Sequence, residues 1–429
     1  MNGAHLANRC AIPGTPLAHA RAGLDACVHC GFCLQACPTY LVLEDENDSP
    51  RGRLVMMRAL VEGTLAVEDQ DVRTHIDRCL GCRACETACP SGVPYGHLLE
   101  ATRATLTAVQ PNAPVARAIL FVFARGSLMR LAMLGGRLVR ALRLSKLLAR
   151  FPGRLGFAMA MLESTRTSLR ARTYATTSDG SRGKVALLTG CVMEGLFTAT
   201  NRATERTLSS NDYALVSAPA QGCCGALHAH AGDADTARAL ARANIVAFEE
   251  SGAEFIAVNA AGCGAIMKEY GDLLAQDDVW RERAVAMSAR VRDVSELLAM
   301  AGPHPGGALP LAVTYDAPCH LLHAQRLANP PLEVLAAIPE LALVPLTGSE
   351  HCCGSAGIYN LVEPETSDRV LEPKLRNIKD TGAAYVATGN PGCMMQIGAG
   401  MLQAGMAART IHPVDLLDAS YANMTKRRP

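Results

Sequence analysis

The sequence predicts a multidomain α+β protein: a cysteine-dense helical domain at the N-terminus, a helical connector, and two tandem α/β domains. Three observations carry this. Two closely matched runs, CVHCGFCLQACP (Cys27–Pro38) and CLGCRACETACP (Cys79–Pro90), lie in the first hundred residues. A stretch rich in basic and apolar residues, with no acid, follows them. Beyond it, Cys191, Cys223-Cys224-Gly225 and Cys263 recur as Cys319, Cys352-Cys353-Gly354 and Cys393, at offsets of 128, 129 and 130 residues. Offsets so regular mark a duplicated domain. The expected boundaries are 1–100, 101–180, 181–305 and 306–429.

The whole chain narrows the function classes. Its 429 residues fit two or three domains, and 49% hydrophobic content fits a globular chain. A formal net charge of +1 and a single Trp argue against a nucleic-acid partner. No basic segment followed by an apolar run opens the chain, and no apolar run approaches the ~20 residues of a membrane span. Seventeen cysteines in such a chain are expected to bind metal in the cytoplasm rather than to form disulfides.

In the first domain, PRGRLVMMRALVEGTL and DQDVRTHIDR have helical periodicity, with Gly63 as the break. This helical pair folds one cysteine run back against the other. The spacing Cys-x2-Cys-x2-Cys-x3-Cys-Pro is that of a ferredoxin-type [4Fe-4S] site, three thiolates coming from one tight loop and the fourth pointing away. Zinc sites instead pair two Cys-x2-Cys knuckles across a longer spacer. In two-cluster ferredoxins the fourth cysteine crosses to the other cluster. By that rule Cys27, Cys30, Cys33 and Cys89 hold one cluster, and Cys79, Cys82, Cys85 and Cys37 the other. His29 has ligand chemistry but is expected beside the site, since cysteine completes the ligation.

Residues 101–162 contain ten Arg or Lys and no Asp or Glu. On a helical wheel Leu138, Ala141, Leu142, Leu148, Ala149 and Ser145 share one arc. Arg140, Arg143, Lys146 and Arg150 take the opposite arc, together with Val139 and Leu147. Two readings stand: a wedge packing its leucines between domains, or an interfacial helix resting on anionic lipid. Residues 176–184, TTSDGSRGK, then form a linker.

From residue 184, strands such as KVALLTG, YALVSAP and EFIAVNAAG alternate with helices, and LAVTYDAP, LALVPLTG and AAYVATGNPG repeat the pattern. Every repeated cysteine falls just past a strand, where α/β folds gather their ligand loops. The glycine after each Cys-Cys pair permits a positive φ that aims both sulfurs inward. Cys191, Cys223, Cys224 and Cys263, then Cys319, Cys352, Cys353 and Cys393, are therefore candidate further metal or redox sites, buried structural thiols being the alternative. Cys10 belongs to neither scheme.

Together these stretches resemble the iron–sulfur subunit of glycolate oxidase. It lies within a wider Cys-Cys-Gly family that includes lactate-utilisation proteins and subunits of anaerobic glycerol-3-phosphate dehydrogenase and heterodisulfide reductase. CVHCGFCLQACPTY, PRGR, DRCLGCRACETACPSGVPYGHL, GCCGALHAH, AGCGAIMKEYG and CCGSAGIYN carry the likeness, which runs from about residue 20 to the end. The resemblance implies an electron-transfer subunit with two [4Fe-4S] clusters on the eight N-terminal cysteines. FAD would reside in partner subunits that oxidise glycolate to glyoxylate, with membrane quinone as acceptor. On the lipid reading of the basic segment, the complex would sit on the inner face of the cytoplasmic membrane, in contact with anionic lipid. One departure is visible: heterodisulfide reductase domains end in Cys-x2-Cys, but here GCGAIM and GCMMQI lack the last cysteine.

Three function classes remain: an electron relay with no catalytic residue of its own, a thiol–disulfide enzyme using a Cys-Cys-Gly cluster, and a zinc-stabilised scaffold. A related lactate or glycerol-3-phosphate dehydrogenase complex is the nearest alternative for the relay. No dinucleotide or phosphate-binding fingerprint follows a strand, which favours a relay fed by a flavoprotein.

Overall fold

The structure is a computed structural model describing residues 10–166, 169, 174, 176 and 178–424. Thr177, in the expected linker, lies outside the described residues. The chain forms two compact units. The first holds residues up to Leu120 together with 226–237 and 354–370; the second holds 121–225, 238–353 and the rest. The two short segments that follow the Cys-Cys-Gly pairs thus belong with the N-terminal unit, and the connector divides at residue 120.

In the first unit, helix Pro50–Glu62 starts where Ser49 Oγ accepts the Gly52 N–H at 2.9 Å. It ends at Gly63, at φ +79°, where an added Cβ would also meet that of Ala11 at 2.7 Å. Helix Gln70–Asp77 starts at Asp69, whose carboxylate accepts from the Asp71 and Val72 N–H groups. A longer helix, Tyr95–Val109, packs beside them. Leu54, Met57, Leu60, Ile76, Leu98 and Leu106 form one core with Cys79 and Cys85 at its edge. Each buried aliphatic side chain contributes about 1.5–3 kcal/mol, so the cysteine loops rest on a rigid base.

The second unit contains two parallel sheets. Strands β1 (Lys184–Leu187), β2 (Ala214–Val216), β3 (Phe255–Val258) and β4 (Val291–Asp293) lie in the order β2-β1-β3-β4. Strands β5 (Ala312–Tyr315), β6 (Ala342–Val344), β7 (Tyr385–Ala387) and β8 (Arg409–Ile411) lie in the order β6-β5-β7-β8. Registers correspond: Lys184 faces Ala214 and Val185 faces Phe255, as Ala312 faces Ala342 and Val313 faces Tyr385. The repeat in the cysteines is a repeat of the fold. Val185, Leu187, Val313, Tyr315, Leu416 and Leu417 belong to one core shared by both sheets. In each sheet the central pair runs to its neighbours in opposite directions, which opens a crevice at the carboxyl ends of the strands.

The basic segment departs from the wedge reading. Helices Gly126–Ala141, Leu144–Leu148 and Gly153–Ser164 bury Met129, Ser145 and Ala160, with Ala149 buried just past the second, and not their leucines. Small residues face inward because the backbones approach closely: a Cβ on Gly398 would lie 2.6 Å from that of Ser164. Leu131, Leu134, Leu138 and Leu142 are 58–66% exposed. Arg140 is not on the open face either; it donates to the Thr165 carbonyl at 2.9 Å. A wheel orders side chains around a helix, but it does not say which arc finds a partner. Among the described residues no single helix is long and apolar enough to cross a membrane.

Candidate metal centres in the cysteine clusters

The first unit interleaves its two cysteine runs. Cys27, Cys30, Cys33, Cys85 and Cys89 line one cavity, partly open to solvent. Burial pushes the Cys33 thiol up to about 11, and its neighbours Cys27, Cys37 and Cys89 add to the shift. Cys37 is buried and feels the charge of Cys79. Cys85 feels Cys79 and then Cys37, and burial with those neighbours drives its thiol well above the ordinary range. Cys89 thus shares a cavity with Cys27, Cys30 and Cys33, while Cys37 lies near Cys79 and Cys85 as well as Cys33.

Local backbone explains how the loops wrap. Counting from the first cysteine of each run, the third and fifth residues are left-handed in both: His29 (φ +57°) and Gly31 (+84°), then Gly81 (+61°) and Arg83 (+63°). Each loop places one glycine and one larger residue at these two positions, so the sequence alone shows only half of the correspondence. Alternating turns of this kind point N–H groups inward; Gly81 N lies 3.4 Å from Cys79 Sγ. His29 itself is exposed. Soft thiolate donors, inward N–H groups and a shaped cavity fit a cubane iron–sulfur centre. Close thiols that oppose one another's ionisation fit it too, since a metal displaces their protons.

Behind Cys37 and Cys79 lies a polar layer that spacing arguments did not identify. Arg53 is fully buried and pairs with buried Asp48 at 3.1 Å. It also donates to the His75 carbonyl at 2.7 Å and to Thr39 Oγ1 at 3.1 Å. Burial opposes its charge, but Cys79, Tyr95, Cys37 and Asp48 outweigh that and raise its pKa. Thr39 Oγ1 is 3.2 Å from Cys37 Sγ, and the Tyr95 hydroxyl donates to Cys79 Sγ at 3.6 Å. The nearest sequence signal for Tyr95 is its place in SGVPYGHL, just past Cys89.

In the second unit, the segments that follow β1, β2 and β3 bring Cys191, Cys223-Cys224 and Cys263 together, Cys263 in the first turn of helix Ala261–Lys268. Cys191 hydrogen-bonds Cys223, and Cys224 bonds both Cys223 and Cys263; these bonds and burial raise Cys191 and Cys224 well above the usual thiol range. In the second repeat Cys353 bonds Cys352, and Cys353 Sγ lies 3.3 Å from Cys393 Sγ. Cys319 lies after β5, the place Cys191 takes after β1. The expected turn glycines follow both pairs, Gly225 at φ +86° and Gly354 at +84°.

Different groups brace the two sets. Asn244 and Tyr270 donate to the carbonyls of Cys223 and Cys224, at 2.9 and 2.8 Å. Beside Cys353 and Cys393, buried Lys374 pairs with Asp316 and donates to the Gly348 carbonyl at 3.0 Å. No two of the seventeen cysteines are joined by a disulfide. Several nearby histidines take hydrogen bonds of their own: His228 with the Leu120 carbonyl, His230 with Glu100, and His323 with the Glu350 carbonyl.

Comparison with known proteins agrees with this layout. A 4Fe-4S dicluster domain matches residues 23–93, and a cysteine-rich domain matches 185–268 and 313–398. A probable glycolate oxidase iron–sulfur subunit of Bacillus subtilis is 38% identical over 91% of this chain and 92% of its own length. The glycolate oxidase iron–sulfur subunit of Escherichia coli is 34% identical over 87% of this chain and 89% of its own. Lactate utilization protein A of an Exiguobacterium species is 27% identical, over 54% of this chain and 96% of its own length.

Proposed function

We infer the function from one premise: the chain belongs to the family of glycolate oxidase iron–sulfur subunits. It is the electron-carrying member of an oxidoreductase complex. An FAD-containing partner oxidises glycolate to glyoxylate, and this chain passes the electrons on towards membrane quinone. The observation that supports the reading is Cys89 of the second run beside Cys27, Cys30 and Cys33, with Cys37 of the first run near Cys79 and Cys85. Cys27, Cys30, Cys33 and Cys89 hold one site, and Cys37, Cys79, Cys82 and Cys85 the other. Two [4Fe-4S] clusters bound there supply one-electron redox chemistry.

Oxidation of a 2-hydroxy acid to its oxo acid releases two electrons, so two one-electron sites on one chain match the stoichiometry. The chain's residues hold the sites close together, shield the inner one from water and leave the outer one open. The Cys-Cys-Gly sets add one or two further metal or iron–sulfur centres. Iron and acid-labile sulfide analysis, with EPR of the reduced protein, tests this. About eight irons per chain is expected for the two sites alone and about twelve or more with the Cys-Cys-Gly sets filled, while zinc without sulfide would overturn the reading.

The basic segment docks the complex on the cytoplasmic face of the membrane. What supports this is the exposed stripe Leu131, Leu134, Leu138 and Leu142, with exposed Arg130, Arg143, Lys146 and Arg150 and no acid between 101 and 162. Arg137 and Arg140 are excluded because they bond to protein carbonyls. Each basic residue near an anionic surface contributes about 1 kcal/mol. Changing the four exposed ones to Glu is expected to cut co-sedimentation with phosphatidylserine-containing vesicles by about tenfold or more. Unchanged co-sedimentation sinks the lipid role.

A further inference from the structure

The two four-cysteine sites differ in their surroundings. The site at Cys27, Cys30, Cys33 and Cys89 opens to solvent, with Val28 and Phe32 exposed at its mouth. Cys37, Cys79, Cys82 and Cys85 are all buried. Reduction adds an electron, and no proton, to a centre that already carries negative thiolates. Burial penalises that extra charge, because water no longer solvates it. Unless something compensates, the inner centre is harder to reduce than its chemistry requires.

The structure supplies a compensation. Tyr95 is buried, and its hydroxyl is directed at Cys79 Sγ, 3.6 Å away. A hydrogen bond to a ligating sulfur strengthens as the sulfur gains charge, and so favours the reduced state. Behind it, Arg53 places a buried guanidinium near Cys37 and Cys79. Asp48 takes up part of that charge, but Arg78 also reaches Asp48, at 3.2 Å, so the buried carboxylate is shared by two cations. Of the charges acting on Cys37, that of Arg53 favours the ionised sulfur.

We propose that Tyr95, backed by Arg53, is a redox-tuning residue that raises the reduction potential of the centre held by Cys37, Cys79, Cys82 and Cys85. The proposal rests on the iron–sulfur reading above. The role of Tyr95 is a positioning one: it acts through Cys79 and touches no substrate. It keeps the inner centre reducible by the outer one, so that electrons entering at the open site move inward.

Tyr95→Phe tests this, since it removes one O–H and keeps the buried ring. EPR-monitored redox titration of the full chain is expected to show two centres in both proteins, with one potential lowered in the variant and the other unmoved. Pulsed electron–nuclear measurements in H₂O and D₂O are expected to show an exchangeable proton coupled to the shifted centre, lost in Tyr95→Phe. Full iron content with both potentials and the proton coupling unchanged overturns the proposal. Should Phe disturb iron loading, the proton measurement on the wild-type chain still decides: no exchangeable coupling at the buried centre overturns it. A wild-type chain with no cubane signal overturns the cysteine assignment itself, and the tuning role falls with it.

Discussion

Cys37→Ser is expected to empty the site of the opposite run, leaving its own largely intact. Cys37 is the N-cap of helix Pro38–Leu43 and is buried near Cys79 and Cys85. Serine offers a harder oxygen donor where iron in a sulfide cluster favours soft sulfur. Iron should fall from about eight to about four per chain, if the Cys-Cys-Gly sets hold none. The decisive readout is which thiols become reactive. Alkylation of the native variant followed by peptide mapping should label Cys79, Cys82 and Cys85 while Cys27, Cys30 and Cys33 stay protected. Cys89→Ser should give the reciprocal pattern. Labelling of Cys27, Cys30 and Cys33 in Cys37→Ser would mean that each run serves its own cluster.

How much of this site was legible in the sequence follows from the range of each interaction. The ligand spacing lies within eleven residues and depends on loop geometry, so it can be read directly. The duplicated α/β fold is legible because its cysteines keep register over 129 residues or so, and both sheets share one strand order. Gly63 as the end of the first helix is local chemistry as well. The buried layer behind the ligands is not local. Tyr95 reaches Cys79 across sixteen residues, and Lys374 reaches Asp316 across fifty-eight. Neither pair carries a periodicity or a spacing of its own. The leucines of 126–142 mislead in another way: their spacing reports an apolar face truly, but burial depends on what packs against it. Here the small residues gained the protein contact and the leucines were left outside.

The PRGR stretch shows the same limit in two residues, and it yields the largest expected stability effect. Arg51 and Arg53 stand two apart and read alike, but Arg51 pairs with Glu46 at the surface, at 2.8 Å. Arg53 is wholly buried against Asp48. Removing one partner of a buried pair leaves the other charge without compensation and costs about 3–5 kcal/mol, whereas an exposed pair is worth about 0–1 kcal/mol. Arg53→Met also strips donors from the His75 carbonyl and from Thr39. Against a total of about 5–15 kcal/mol for a domain, that loss brings the N-terminal unit close to unfolding. Denaturation of the full, iron-loaded chain should show the early transition falling markedly for Arg53→Met and scarcely moving for Arg51→Met. Asp48 keeps Arg78 and His75 as neighbours, at 3.2 and 3.1 Å, so Arg53→Met with Asp48→Asn should recover part of the loss but not all of it. Equal effects of the two single arginine changes would show that Arg53 does not hold the floor beneath the inner cysteines.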